Sequence, residues 1–411
     1  MSERACSKKC IRLFLAGIGS LMLTLIFSHG SYSGNVRGVT ETSIKIGLAV
    51  GITGPAADVA VPVAEGVKNY TRYINDKGGI HGRKVKLIVE DDRFSVPSGV
   101  ASFKKLVFKD GVFAMMGPLT TATIKALFGQ VEKHKIPNVM YLPQPSMVNP
   151  IKRHIFVTGE FYDDDMGVIF DYIMNDLKPR DMKLGFVTLD TDSGKETLES
   201  VNKWAQFFNY KRPIQKEIIP LAAMDAVSQV MSIKRGRVTH ILLHHLVGGG
   251  SLLLKDLRKF GIKTPVFGTL LTCSEDTVKL AGDASRNYIG ANGMSSWYDD
   301  APGMKKLRDI TLKYNPGTEK LWRPKYFTAG WVMMMLHHEG MIKAGRDLTP
   351  ESCVRGLESI KDFDTQGLCG LITYSPTDHK GISSCRLFRP DPASGKLVPI
   401  TDWRTPPKIK E

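Results

Sequence analysis

Absences narrow the chemistry first. No G-x-S-x-G elbow and no H-E-x-x-H pair occurs, and no Gly-Lys-Ser/Thr follows the glycine run Gly248-Gly249-Gly250-Ser251. These gaps argue against an elbow hydrolase, a helix-borne zinc protease and a nucleoside-triphosphate cradle. Cysteine is scarce: there are six in 411 residues, and two of them, Cys6 and Cys10, precede residue 33. None of the spacings is C-x-x-C, so neither a zinc knuckle nor a redox dithiol is encoded. The pairs His244-His245 and His337-His338 do not suggest metal either. Adjacent residues face opposite sides of a strand, or sit about 100° apart on a helix. No low-complexity run or heptad array is present, and the Lys and Arg residues do not cluster into a nucleic-acid stripe.

What is present is the composition of an ordinary globular protein, 42% hydrophobic and 24% charged. The length exceeds what one hydrophobic core serves, so two domains are expected. A basic stretch from Arg4 to Arg12 precedes an apolar run over residues 13–27. That run of about fifteen residues is shorter than a spanning helix. Ser31 and Ser33 follow it in an A-x-A-like pattern, so residues 1–33 read as a cleaved signal peptide. Cys10 lies before the run and there is no twin arginine, so an exported, periplasmic, soluble chain is expected, with no lipid anchor at that cysteine. The formal net charge is +15, and about +12 remains beyond residue 33, because Arg4, Lys8, Lys9 and Arg12 are opposed there only by Glu3. Such a surface favours anionic ligands or a negatively charged membrane face.

Strand-like runs alternate with amphipathic helices. Ile44 to Val50, Val85 to Val89 and Val112 to Met116 are separated by helices carrying Val63, Val67, Tyr70 and Ile74, then Val100, Phe103 and Val107. This is the βαβ pattern of a parallel sheet, where ligands bind beyond the strands' carboxyl ends. A further helix and the strand Asn138 to Leu142 follow, with the loop Pro143-Gln144-Pro145-Ser146 behind them. The alternation restarts at Lys183, with strands starting at Leu184, Ile214, His240, Pro265 and Asn287, and gives way after Trp297 to helices. Two doubly wound α/β lobes are predicted. Export permits disulfides. Cys369 and Cys385 flank a hairpin-like stretch centred near Thr377, and a regular register would bring them opposite each other; buried free thiols are the alternative.

The order Thr53-Gly54-Pro55, Asn75-Asp76-Lys77-Gly78-Gly79-Ile80-His81-Gly82, Glu90-Asp91-Asp92 and Gly117-Pro118-Leu119-Thr120-Thr121 resembles the branched-chain amino-acid type of periplasmic solute-binding protein. Phe260-Gly261-Ile262-Lys263-Thr264-Pro265 and the 370–381 hairpin extend the likeness over the mature chain. The resemblance implies a type I periplasmic-binding-protein fold with three hinge crossings, near residues 157–162, 291–297 and 371–375. The N-terminal lobe would comprise residues 40–158 and 296–372, and the C-terminal lobe residues 159–295 and 373–411. It also implies a monomer that needs no cofactor, metal or nucleic acid and performs no catalysis. The bound solute would pass to an inner-membrane ABC permease; a ligand-sensing receptor of the same fold is the alternative.

Carried over residue by residue, the resemblance puts ligand-carboxylate contacts on Thr121 and Ser146, with Gln144 beside them. Thr121 could also be merely a helix cap. Positions that are aromatic in the amino-acid binders fall on Val59, Ser193, Leu246 and Phe327, the last also readable as a core ring. The family's ammonium-binding Glu falls on Leu270, and the two cysteines of its first-lobe disulfide fall on Phe94 and Thr120. A leucine cannot pair with a buried ammonium. The implied solute is a small, carboxylate-bearing and possibly aromatic compound without an α-amine, unless Asp58 or Asp192 pairs with the amine from another direction.

Overall fold

The computed structural model describes residues 36–141 and 144–409. The expected signal peptide lies outside them. From its first strand the chain runs through β1 (Ser43–Val50), α1 (Ala57–Asp76), β2 (Lys84–Asp91), α2 (Val96–Lys104), β3 (Ala114–Met116), α3 (Thr121–Lys133), β4 (Asn138–Met140) and β5 (Ile155–Val157). These strands form one all-parallel sheet in the order β2-β1-β3-β4-β5. In β1, Ile44, Ile46 and Leu48 are fully buried, as a central parallel strand requires.

A second set follows: α4 (Tyr162–Asp171), β6 (Leu184–Thr188), α5 (Asp192–Phe207), β7 (Gln215–Ile218), α6 (Val227–Arg235), β8 (His240–His244), α7 (Val247–Lys259), β9 (Val266–Gly268), α8 (Glu275–Ala281) and β10 (Tyr288–Asn292). Helices α9 (Pro302–Tyr314), α10 (Lys325–Ala344) and α11 (Pro350–Glu358) come next, then β11 (Arg386–Asp391) and β12 (Lys396–Pro399). The second sheet has the order β12-β11-β10-β9-β8-β6-β7. It is parallel from β7 to β10, with β11 and β12 added antiparallel. Among the described residues, a core cluster with Phe103, Leu106 and Ile124 packs in the first lobe, and clusters around Phe186 and Leu243 flank the second sheet.

Helix α10 packs on α1. A Cβ on Gly66 would stand 2.1 Å from the Phe327 carbonyl oxygen, and one on Gly330 would stand 2.0 Å from that of Val63. The two helices therefore meet backbone to backbone, and only glycine fits at these two points.

Two expectations near the carboxyl end need correction. The third passage between lobes lies later than residues 371–375. The Tyr374 hydroxyl donates to the Val157 carbonyl at 3.0 Å, and the Gly381 N–H donates to the same carbonyl at 2.8 Å. The chain thus stays on the first lobe through Gly381 and enters the second sheet at Arg386. The expected Cys369–Cys385 bridge is not formed; both thiols are buried and free. The turn at Ser375 and Asp378 closes, but its arms then diverge. Cys369 bridges to Met294, whereas Cys385 exchanges backbone bonds with Arg404 at 2.9 Å. The terminal hairpin is instead β11–β12, whose edge position tolerates Pro399.

Candidate functional site

In each sheet the strand order reverses once, between β1 and β3 in the first and between β6 and β8 in the second. Loops diverge at such points and leave a crevice. Here both crevices open onto one cavity of about 430 Å³. The first lobe contributes Val59, Phe94, Leu119, Thr121 and Tyr141; the second contributes Tyr162, Leu189, Ser193, Leu246 and Leu270; Tyr326 of α10 completes the wall. The size suits a small organic molecule and the lining is mainly apolar.

A few polar atoms punctuate it. Thr120, not Thr121, caps α3, its hydroxyl accepting from the Thr123 N–H at 3.3 Å. Thr121 is thereby released from capping, and its hydroxyl has no hydrogen-bond partner among the described residues. The first-turn N–H groups of Thr121 and Ala122 lack intrahelical partners and carry the positive end of the helix dipole. Burial pushes the Tyr141 and Tyr162 phenols well above their ordinary range, so both remain protonated donors. The Tyr326 hydroxyl is engaged, donating to the Leu271 carbonyl at 2.6 Å.

At the expected ammonium position, Leu270 is fully buried and its N–H donates to Asp165 Oδ2 at 2.9 Å. Asp165 and its neighbour Glu160 are likewise fully buried behind this wall. Burial raises the Glu160 carboxyl to about 7 and raises Asp165 strongly; the nearby Asp164 charge pushes both further up, and Glu160 does the same to Asp165. Asp58, pushed up to about 6 by burial, is opposed by the backbone N–H groups of Val59 and Gly248 and does not line the cavity. Asp192 reaches the rim, 4.0 Å from Lys125.

Of the residues predicted from sequence, Thr121, Val59, Ser193, Leu246 and Leu270 are brought together here. Three are not. Ser146 and Gln144 hold a carboxylate, but it is the protein's own. Glu196 of α5 receives Lys125 Nζ at 2.6 Å and the Ser146 hydroxyl at 2.8 Å. Gln144, fully buried, also donates to it at 3.0 Å with its amide nitrogen turned to the acid. All three donors come from the first lobe, so the contact spans the cleft beside the cavity. Phe327 is fully buried against Trp297 and Trp331, with ring centroids at 6.3 and 6.4 Å. One residue on a helix is about 100° of rotation, which gives the cavity to Tyr326 instead.

The histidines serve packing. His244 accepts or donates at Thr269 Oγ1 (3.1 Å) and Ser193 Oγ (3.3 Å), and burial lowers it to about 3, so it stays neutral. His245 turns away to the Ile219 carbonyl at 2.9 Å. A Cβ on Gly249 would strike its ring at 2.1 Å, which accounts for glycine there. Among the described residues no group of three His, Cys, Asp or Glu could hold a metal ion.

Residues 43–396 match the family model described as Periplasmic binding protein. The chain belongs to the periplasmic binding protein family. Its architecture is the type I periplasmic-binding-protein fold. The Leu/Ile/Val-binding protein BraC3 of Rhizobium johnstonii is 23% identical over 363 residues, 88% of this chain and 94% of its own. A branched chain amino acid ABC transporter protein from Thermus thermophilus, solved with bound valine, superposes with a TM-score of 0.82 at 19% identity, covering 89% of this chain and 97% of the other. A fatty acid ABC transporter substrate-binding protein from Thermomonospora curvata superposes with a TM-score of 0.80 at 22% identity, covering 90% and 95%.

Periplasmic binding proteins of this family bind small molecules for ABC permeases and are not enzymes. Relatives are periplasmic or extracellular, and no helix among the described residues is long and apolar enough to cross a membrane. Sequence reasoning missed Tyr141, Tyr162, Tyr326 and the Glu196 contact. Tyr162 follows the first hinge crossing directly and Tyr141 ends β4, so both sit where loops leave the sheets. That positional signal was available.

Proposed function

We propose that this protein captures a small apolar carboxylic acid lacking an α-ammonium group and delivers it to an ABC-type permease. The single observation behind this reading is the asymmetry of the cavity. Thr121, the α3 start and the Tyr141 phenol offer free donors from the first lobe and the Tyr162 phenol another from the second, while Leu270, at the expected ammonium position, presents no side-chain acceptor. An unpaired ammonium buried there would cost several kcal/mol, so an amino acid is disfavoured. An acid meets a dipole end and charge-assisted donors. The names of the curated relatives point to leucine, isoleucine and valine, whereas that of the Thermomonospora neighbour points to a fatty acid; Leu270 favours the second chemistry. The rest of the reading is a leader cleaved after Ser33, a monomer, and lobes that close on the solute by hinge motion.

Calorimetric titration tests it. A keto or aryl acid is expected to bind more tightly than leucine or valine. Sub-micromolar leucine binding would overturn the reading and require another carboxylate, such as Asp192, to hold the amine.

A further inference from the structure

The turn after β2 brings an aromatic ring to the cleft by an uncommon backbone route. Arg93 and Phe94 have φ of 51° and 55°, successive left-handed conformations that bulky residues rarely adopt. Two carboxylates hold them there. Asp91 Oδ1 accepts from the Arg93 N–H at 2.9 Å, and its Oδ2 accepts from the Thr53 hydroxyl at 2.6 Å. Asp92 Oδ1 accepts from the Phe94 N–H at 2.9 Å. Asp92 is only 1% exposed, and its second oxygen has no partner among the described residues. Gly51, at the end of β1, closes the other side: a Cβ there would lie 2.8 Å from the Phe94 nitrogen.

The ring so placed is not part of a core. Phe94 is only partly buried, lines the cavity, and has no aromatic or cationic partner among the described residues. Two other rings of the wall are engaged. Tyr162 is met edge-on by His244 at 4.4 Å, and Tyr326 is tied through its hydroxyl. Strain held by the surrounding structure marks positions with a task. We infer that Phe94 is a specificity-determining residue of the cleft, whose free face packs on a planar, aromatic part of the bound acid. This inference rests on the cleft being the acid site proposed above.

Phenylacetate and hexanoate are the probes, titrated calorimetrically into the mature protein and its Phe94→Leu and Phe94→Tyr variants. Aromatic pairing adds a factor of about two to ten beyond the burial of area. Phe94→Leu is expected to weaken phenylacetate roughly three- to tenfold and hexanoate less than about twofold, while Phe94→Tyr preserves both. Because the side chain lines the cavity and is only partly buried, both variants are expected to melt close to the parent. If Phe94→Leu leaves both affinities unchanged, or lowers both alike, the Phe94 assignment is overturned while the acid site stands. If the parent binds neither acid, the acid site and this assignment fall together.

Discussion

Removing the Glu196 carboxylate isolates what the cross-cleft contact contributes. Glu196 of α5 is met by Lys125, Ser146 and Gln144, all on the opposite lobe. Lys125 and Glu196 side chains are 35% and 20% exposed, so solvent screens their attraction to about 0.2–1 kcal/mol. The hydroxyl and amide donors add more, since a hydrogen bond to a charged group is worth roughly 1.5–3 kcal/mol. Glu196→Ala also strands the buried Gln144 amide, which is a cost of the closed arrangement alone. Allowing for non-additivity, about 1.5–3 kcal/mol of preference for the closed arrangement should disappear, or a factor of about ten to a hundred in apparent affinity. Calorimetry reads the affinity, stopped-flow should show a faster off-rate, and solution scattering should show a larger ligand-bound radius of gyration. Unchanged affinity and scattering in a normally melting Glu196→Ala protein would refute the reasoning.

Thr121→Ala removes a hydroxyl with no other partner among the described residues, so affinity for a carboxylic acid should fall about tenfold while melting stays constant; an equal loss of stability would mean a structural role. Asp58 supplies the pH dependence. Burial raises its carboxyl from 3.8 to about 6, so folding takes up a proton between these values. The stability tied to this group is full below about pH 3.8 and is lost as pH rises from there through about 6, by at most about 3 kcal/mol. Asp58→Asn should therefore raise the melting temperature at pH 7.5 more than at pH 4.5, and an equal shift at both would remove Asp58 as the cause.

Both lobes were legible because buried parallel strands are continuous apolar runs separated by helical periodicity. Ile44 to Val50 shows this plainly, and the restart at Lys183 marked the second sheet. The cleft followed from where such strands end. The site was legible only residue by residue. Thr121 opens α3 and Leu270 follows β9, and at both places the neighbouring residues fix the side chain's direction. Phe327 and Tyr326 lie on α10, which buries nearly its whole circumference, so apolar spacing cannot say which side faces the cavity. Glu196 is one of many exposed-looking acids in sequence, and only tertiary folding brings it to Ser146 and Gln144. The symmetric spacing of Cys369 and Cys385 misled because each arm of their turn pairs with a different partner.

The backbone-to-backbone seam at Gly66 and Gly330 bears on the order in which a nascent chain can settle. The first sheet is complete once β5 has been made, yet the face of α1 that meets α10 stays bare until Gly330 has been synthesised. Everything between, including the parallel strands β6 to β10, must first be made and set aside without covering that face. An apolar helix left waiting this long is a standing invitation to mispairing, and a chain released before α10 would present it to chaperones or to other copies of itself. A stop or deletion in α10 beyond Tyr326 would therefore be felt first as a loss of soluble protein rather than as a loss of affinity.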